Sequence, residues 1–150
     1  MIKNRLTAGL LSSVLLWSGS ALAENKPSMT VYRSASCSCC SKWVKHIENN
    51  GYDVVDKIVE DVNPVKQRLK VPFQLASCHT AMVDGYVIEG HVPAQDIDAL
   101  LAKKPAVAGL SVPGMPAGTP GMEMGGRVDA YNVVAFDRDG GQRIFRSVGQ

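Results

Sequence analysis

Cys37-Ser38-Cys39-Cys40 concentrates three of the chain's four cysteines in four residues. Cys37 and Cys40 form a C-x-x-C pair, with a helix-like stretch leading out from Ser41. At a helix N-terminus the dipole and the free backbone N–H groups favour the thiolate, and thiol pKa values in such motifs fall to roughly 3.5–7.5. A thiolate exchanges disulfides and binds soft metals with equal readiness, so this pair alone does not choose between them. Cys39 is the extra fact. A dithiol oxidoreductase needs two sulfurs, and a third beside them invites wrong pairing. A polynuclear thiolate site uses a third sulfur as a bridge.

The other soft donors lie further along. Cys78 is followed by His79, the best-placed histidine ligand candidate, and His91 comes next in Gly90-His91-Val92-Pro93. His46, two turns past the cysteines, reads as solvated. Met115, Met122 and Met124 sit in a Gly/Pro-rich stretch with few other apolar residues, where core filling is a weaker explanation than usual. Filling stays open for Met124, and for Met82 in its strand. Thioethers select Cu(I) over hard ions. Thiolates, imidazole and thioethers together point to copper. The separated Cys/His pairs of structural zinc sites are absent, and no Ser-His-Asp set, phosphate loop or paired-carboxylate site stands out.

These residues need elements to position them. Residues 29–32 are β-branched and aromatic and read as a strand. Residues 41–50 read as a helix with Trp43, Val44 and Ile47 on one face, ending at Asn50-Gly51. A second strand covers 53–59, and a short charged helix 62–70 admits Pro64 in its first turn. Val71-Pro72 then breaks the chain. Residues 80–83 and 86–89 flank Asp84-Gly85, a strong hairpin signal. Pro93 opens a helix over 94–103 with Ile97, Leu100 and Leu101 inward. The order β-α-β-α-β-β-α is that of a thioredoxin-like α/β domain, with the cysteine cluster in the first β-to-α loop. In that fold Cys78, just before the third strand, faces Cys37 and Cys40. Residues 105–128 lack periodicity and form a long Met/Gly/Pro loop, which at this length is functional or disordered. Residues 131–136 and 142–147 flank Asp139-Gly140-Gly141 and give a C-terminal β-hairpin. Ordered structure on both sides implies that the loop packs against something.

The first residues are read as an export signal. Lys3 and Arg5 precede an apolar run over residues 6–17, and Ala21-Leu22-Ala23 is an A-x-A cleavage site. The alternative, an uncleaved anchor, fits poorly, because the run is short and interrupted by Ser and Gly. Signal peptide 1–23 leaves a domain at 24–150, enough for one core. It carries 14 acidic residues against 14 remaining basic ones. This balance gives no basic patch for nucleic acid, and no later stretch is long and apolar enough to span a membrane. Export places four cysteines in an oxidising compartment, where two structural disulfides are the bland reading. A domain of this size does not need such staples, and neighbours such as Cys39 and Cys40 would bridge under strain.

Several motifs carry a family resemblance in order: Cys37-Ser38-Cys39-Cys40 with Trp43, Ser77-Cys78-His79-Thr80-Ala81, Gly85-Tyr86, Ile88-Glu89-Gly90-His91-Val92-Pro93-Ala94, Val112-Pro113-Gly114-Met115-Pro116, and Pro120-Gly121-Met122-Glu123. Together they resemble the periplasmic copper-resistance family that includes CopG (not the DNA-binding repressor of that name). The resemblance implies a thioredoxin-like fold, a periplasmic location and a role in copper tolerance. By motif it implies sulfur ligands Cys37, Cys39, Cys40 and Cys78, with His79, His91, Met115 and Met122 as further candidates. It also implies Cu(I), in one or several ions, and a redox change at the copper that would make the protein a copper oxidoreductase. Sequestration, transfer to another periplasmic copper-handling protein, and Cu(I)/Cu(II) interconversion are all compatible with these residues. The rival from a different class is a thiol-disulfide oxidoreductase using Cys37 and Cys40.

Overall fold

The computed structural model describes residues 26–149. The expected signal peptide lies outside them. Ten regular elements follow one another: β1 (Met29–Arg33), α1 (Ser38–Asn49), β2 (Val54–Ile58), α2 (Asn63–Arg68), β3 (Thr80–Val83), β4 (Tyr86–Glu89), α3 (Ala94–Lys103), β5 (Gly109–Ser111), β6 (Tyr131–Phe136) and β7 (Gln142–Val148). A single 3-10 turn at Phe73–Leu75 precedes β3. The seven strands form one sheet in the order β2-β1-β3-β4-β5-β6-β7.

The first four strands and their helices are the expected thioredoxin-like α/β unit. β1 and β2 are parallel, joined through α1, and β3 runs antiparallel to β1. The β3–β4 hairpin turns at Asp84-Gly85, where the I′-type residues match the twist of the strands. Alternation along the strands sends side chains to two faces. Met29, Val31, Ala81, Val83 and Ile88 pack with Trp43, Val44 and Ile47 of α1 and Ile97 and Leu100 of α3. Leu101 is only partly buried against this core. Val87, Phe136 and Leu75 form a second, smaller cluster, against which Met82 and Leu69 pack.

Two features differ from the sequence expectation. α1 begins at Ser38 rather than Ser41, because Cys37 takes the extended N-cap position and its carbonyl accepts the Ser41 N–H at 3.3 Å. Cys39 and Cys40 therefore lie in the first helical turn rather than in a loop. The stretch expected as one loop over 105–128 contains β5, a buried strand between β4 and β6. Gly109 is required there: a Cβ would sit 1.9 Å from the Val87 carbonyl oxygen. Through β5 the C-terminal hairpin joins the main sheet instead of standing apart. No helix among the described residues is long and apolar enough to cross a membrane.

Candidate metal centre

The first turn of α1 is built to receive sulfur. Its N-cap, Cys37, makes no side-chain capping bond, and the turn carries no acidic residue. The free N–H groups and the positive end of the helix dipole thus face the cysteines. Cys40 is fully buried on the core side, while Cys37 and Cys39 are half-buried. Cys37 and Cys40 are joined by a disulfide across a Cα–Cα separation of 5.3 Å. Cys39 and Cys78 are free thiols. Cys39 Sγ lies 3.5 Å from Cys37 Sγ and 3.9 Å from Cys78 Sγ. All four sulfurs fall within 4.8 Å of one another. Cys78 thus faces the cluster as the fold reading expects, without being bridged to it.

Cys78 is held there by a buried charge pair. Glu89, at the end of β4, accepts the Ser77 N–H at 2.7 Å and the Thr80 hydroxyl at 2.7 Å, so its carboxylate clasps both sides of Cys78-His79. Lys66 of α2 closes the network, donating to Glu89 Oε1 at 2.5 Å and to Thr80 Oγ1 at 3.0 Å. Burial pushes the Glu89 carboxyl up, and Lys66 is the largest opposing influence. The network gives the carboxylate the charge partner and the hydrogen bonds that an ion needs in the interior.

Both histidines that sequence singled out are fully buried beside Cys78. His79 Nδ1 is 3.4 Å and His91 Nε2 is 3.1 Å from Cys78 Sγ. The ring of His79 packs at a tilt against Trp43 with centroids 4.4 Å apart and meets His91 edge-on at 5.0 Å. His91 Nδ1 lies 2.8 Å from the Pro120 carbonyl oxygen, which only accepts. Nδ1 therefore carries the proton, and the Nε2 lone pair turns to the sulfur. Burial holds both imidazoles below their ordinary pKa, His79 the further, with His91 and Lys66 adding to the effect there. The Cys78 thiol is pushed up to about 12, first by burial and then by Cys39 beside it. His46 is not simply solvated. It is half-buried, and its Nε2 accepts the Ala94 N–H at 3.1 Å.

The Met/Gly/Pro loop, now residues 112–130, packs against this centre. Gly114 N–H bonds to the Ala76 carbonyl at 3.3 Å, and Ser77 Oγ donates to the Gly114 carbonyl at 2.5 Å. Asp129 ties the loop's far end by exchanging bonds with Ala117. Gly121, at φ +86°, presses on the helix: a Cβ there would be 2.7 Å from the Cys39 carbonyl oxygen and 2.9 Å from Trp43 N. Met122 follows it and is half-buried. Met115 and Met124 are 52% and 58% exposed, so neither is core filler.

The structure brings Cys37, Cys39, Cys40, Cys78, His79 and His91 together and leaves Met115 on the surface. The donors form two groups sharing Cys78: the four cysteines, and Cys78 with His79 and His91. Sulfur and neutral imidazole are ligands for a soft cation, not a hard one. His79 Nε2, on the side of the ring away from Nδ1 and Cys78, is buried without a hydrogen-bond partner among the described residues. The donor set therefore fits copper. Sequence reasoning quoted Glu89 and Gly121 within motifs but gave neither a role, and it missed Lys66. A glutamate closing an apolar strand was the available signal for the first.

A family described as "Protein of unknown function, DUF411" matches residues 75–122, the stretch from the Cys78 loop to Met122. No curated protein matches. Two solved structures of copper resistance protein CopG are similar. One, Form 2, is 46% identical, covers 82% of this chain and 98% of its own, and superposes with a TM-score of 0.78. The other, Form 1, is 46% identical, with 83% and 99% covered and a TM-score of 0.79. Identity at that level across almost the whole of both relatives, on the same fold, assigns the chain to the CopG family of copper resistance proteins.

Proposed function

We propose that the chain is a periplasmic copper-binding protein of copper resistance, exported by a signal peptide cut after Ala23. In its reduced form Cys37, Cys39, Cys40 and Cys78 hold Cu(I) as thiolates from two facing segments. His79 and His91 add imidazole nitrogens, and Met122 and Met115 of the covering loop add thioethers. The observation that supports this reading is the convergence of four sulfurs within 4.8 Å, sharing Cys78 with two buried histidines. Sulfurs at that spacing bridge neighbouring Cu(I) ions, which favours a polynuclear cluster over a single ion. Copper is the cargo, received from or passed to another periplasmic copper-handling protein, with Cu(I)/Cu(II) interconversion as its redox aspect.

Anaerobic titration of the reduced chain with Cu(I), against a chromophoric Cu(I) chelator, tests the proposal. Binding of more than one Cu(I) per chain, lost on substituting Cys78 by Ser, is the expected result. Weak binding would overturn it. The Cys37–Cys40 disulfide favours a second reading, a thiol-disulfide oxidoreductase. Efficient disulfide exchange that survives Cys39→Ser, together with weak copper binding, would select that one.

A further inference from the structure

A hollow of about 180 Å³ lies where the C-terminal end of α2 meets the β3–β4 hairpin and the residue before β5. It shares no residue with the metal donors. Its apolar lining is the open end of the smaller core cluster. Val87 and Ala108 are buried there, while Leu69 and Met82 are only partly covered. Met82, whose sequence left core filling open, thus lines a space that the core does not fill. Three cations line the same hollow, Arg68, Lys70 and Arg138, and no acidic residue does. The acidic neighbours in sequence, Asp84, Asp137 and Asp139, line other hollows. All three cations are exposed, and none joins an ion pair among the described residues. Arg68 leans on the Tyr32 ring, its guanidinium carbon 5.9 Å from the centroid. Like charges gathered without a counter-charge repel one another and draw an anion in.

Lys70 carries an independent sign. α2 closes in a Schellman cap, with the Val71 N–H on the Lys66 carbonyl at 2.9 Å and the Lys70 N–H on the Gln67 carbonyl at 3.1 Å. Lys70 itself takes the left-handed backbone, at φ +56°. Glycine is the usual residue at that position, because it adopts this conformation without strain. A lysine there keeps a strain that glycine would relieve, and strain of this kind gathers at ligand sites. We infer that the hollow binds a small aliphatic monocarboxylate. Arg68, Lys70 and Arg138 hold the carboxylate, and the short chain lies on Leu69, Met82 and Val87. Guanidinium groups bond both carboxylate oxygens at once. An inorganic anion would leave the apolar lining wet, whereas an alkyl chain removes it from water. Sites for drug-sized ligands enclose about 300–1,000 Å³, so this smaller space suits a chain as short as hexanoate. The site is independent of the copper reading.

The test is calorimetric titration of the wild-type chain with sodium hexanoate at low ionic strength, where surface charges are least screened. Saturable binding of one hexanoate per chain is expected, with acetate and sulfate weaker and hexylamine inactive. In a chain labelled at its methionine methyl groups, the Met82 resonance should move with hexanoate while that of Met115 stays still. Lys70→Gly should weaken hexanoate by about tenfold or more, as loss of a charged hydrogen bond does. Its urea midpoint should hold or rise, which a purely structural lysine would not allow. Arg138→Gln, in the exposed β6–β7 turn, should weaken binding in the same way and serves where Lys70→Gly folds poorly. Hexanoate that does not saturate, sulfate or hexylamine that binds as well as hexanoate, a shift at Met115 in place of Met82, or full affinity in either variant would each overturn the inference. The methionine spectrum and the anion series need no variant.

Discussion

His91 gives its Nδ1 proton to the Pro120 carbonyl at 2.8 Å. The bond ties a buried histidine to the covering loop and fixes which nitrogen faces Cys78. Partners of this kind orient metal-ligating histidines, and losing them typically costs 10–100-fold in affinity. The next residue, Gly121, makes the approach possible, since a Cβ there would collide with the Cys39 carbonyl. Gly121→Ala should therefore lift the loop from α1 and weaken Cu(I) binding by roughly 10–100-fold. Chelator competition measures this. Unchanged affinity would show that Pro120 does not position His91.

Lys66 and Glu89 are almost wholly buried and hold the segment carrying Cys78. Removing one member of such a pair leaves an uncompensated interior charge, at about 3–5 kcal/mol. Lys66→Met should lower the unfolding free energy by about that amount in urea. The same variant should speed alkylation of Cys78, because Ser77 and Thr80 lose a fixed partner. A stability change within about 0.5 kcal/mol, the range of an ordinary surface substitution, would mean that the pair is dispensable.

Trp43 is the one tryptophan in residues 24–150. Its ring packs at a tilt against His79 and its Nε1 donates to the Val92 carbonyl at 2.9 Å. Emission from Trp43 should therefore change when copper is added, in proportion to occupancy. In His79→Ala the copper-dependent change should shrink. Trp43→Phe should cost about 1–3 kcal/mol of stability, since it leaves the buried carbonyl of Val92 without its donor. Emission that stays constant through a saturating titration would place the ions elsewhere.

His46 accepts the Ala94 N–H at the start of α3, where Pro93 offers no side-chain cap. Burial is the main cause of its lowered pKa, with Glu123 opposing it. The neutral ring is thus favoured in the folded state. Its contribution is complete above the unfolded value of about 6.5 and is lost as pH falls through the lower folded value. Between pH 7.5 and pH 5 the wild-type chain should lose more stability than His46→Gln, by urea midpoint. Equal losses would refute the assignment.

Local signals carried much of this molecule. Asp84-Gly85 marked its hairpin, the apolar stripe of Trp43, Val44 and Ile47 marked the buried face of α1, and the crowded cysteines marked the site. What escaped was set by distant partners. β5 is three residues long, too short for a period to register, and exists because β4 and β6 offer it edges on both sides. Glu89 shows no role until Lys66, 23 residues away, is folded against it. The N-cap role of Cys37 depends on backbone angles, for which cysteine gives no cue. His46 looked solvated because its partner, Ala94, lies 48 residues on.

The antiparallel pairing of β1 with β3 has a consequence in time. Cys39 and Cys78 are 39 residues apart and meet only because those strands are neighbours. Contacts of such separation form after loop closure and lag behind local structure. A chain still folding carries Cys37, Cys39 and Cys40 on a nascent helix before Cys78 and His91 arrive. The complete donor set is thus a mark of finished folding, and a half-folded chain presents only part of it.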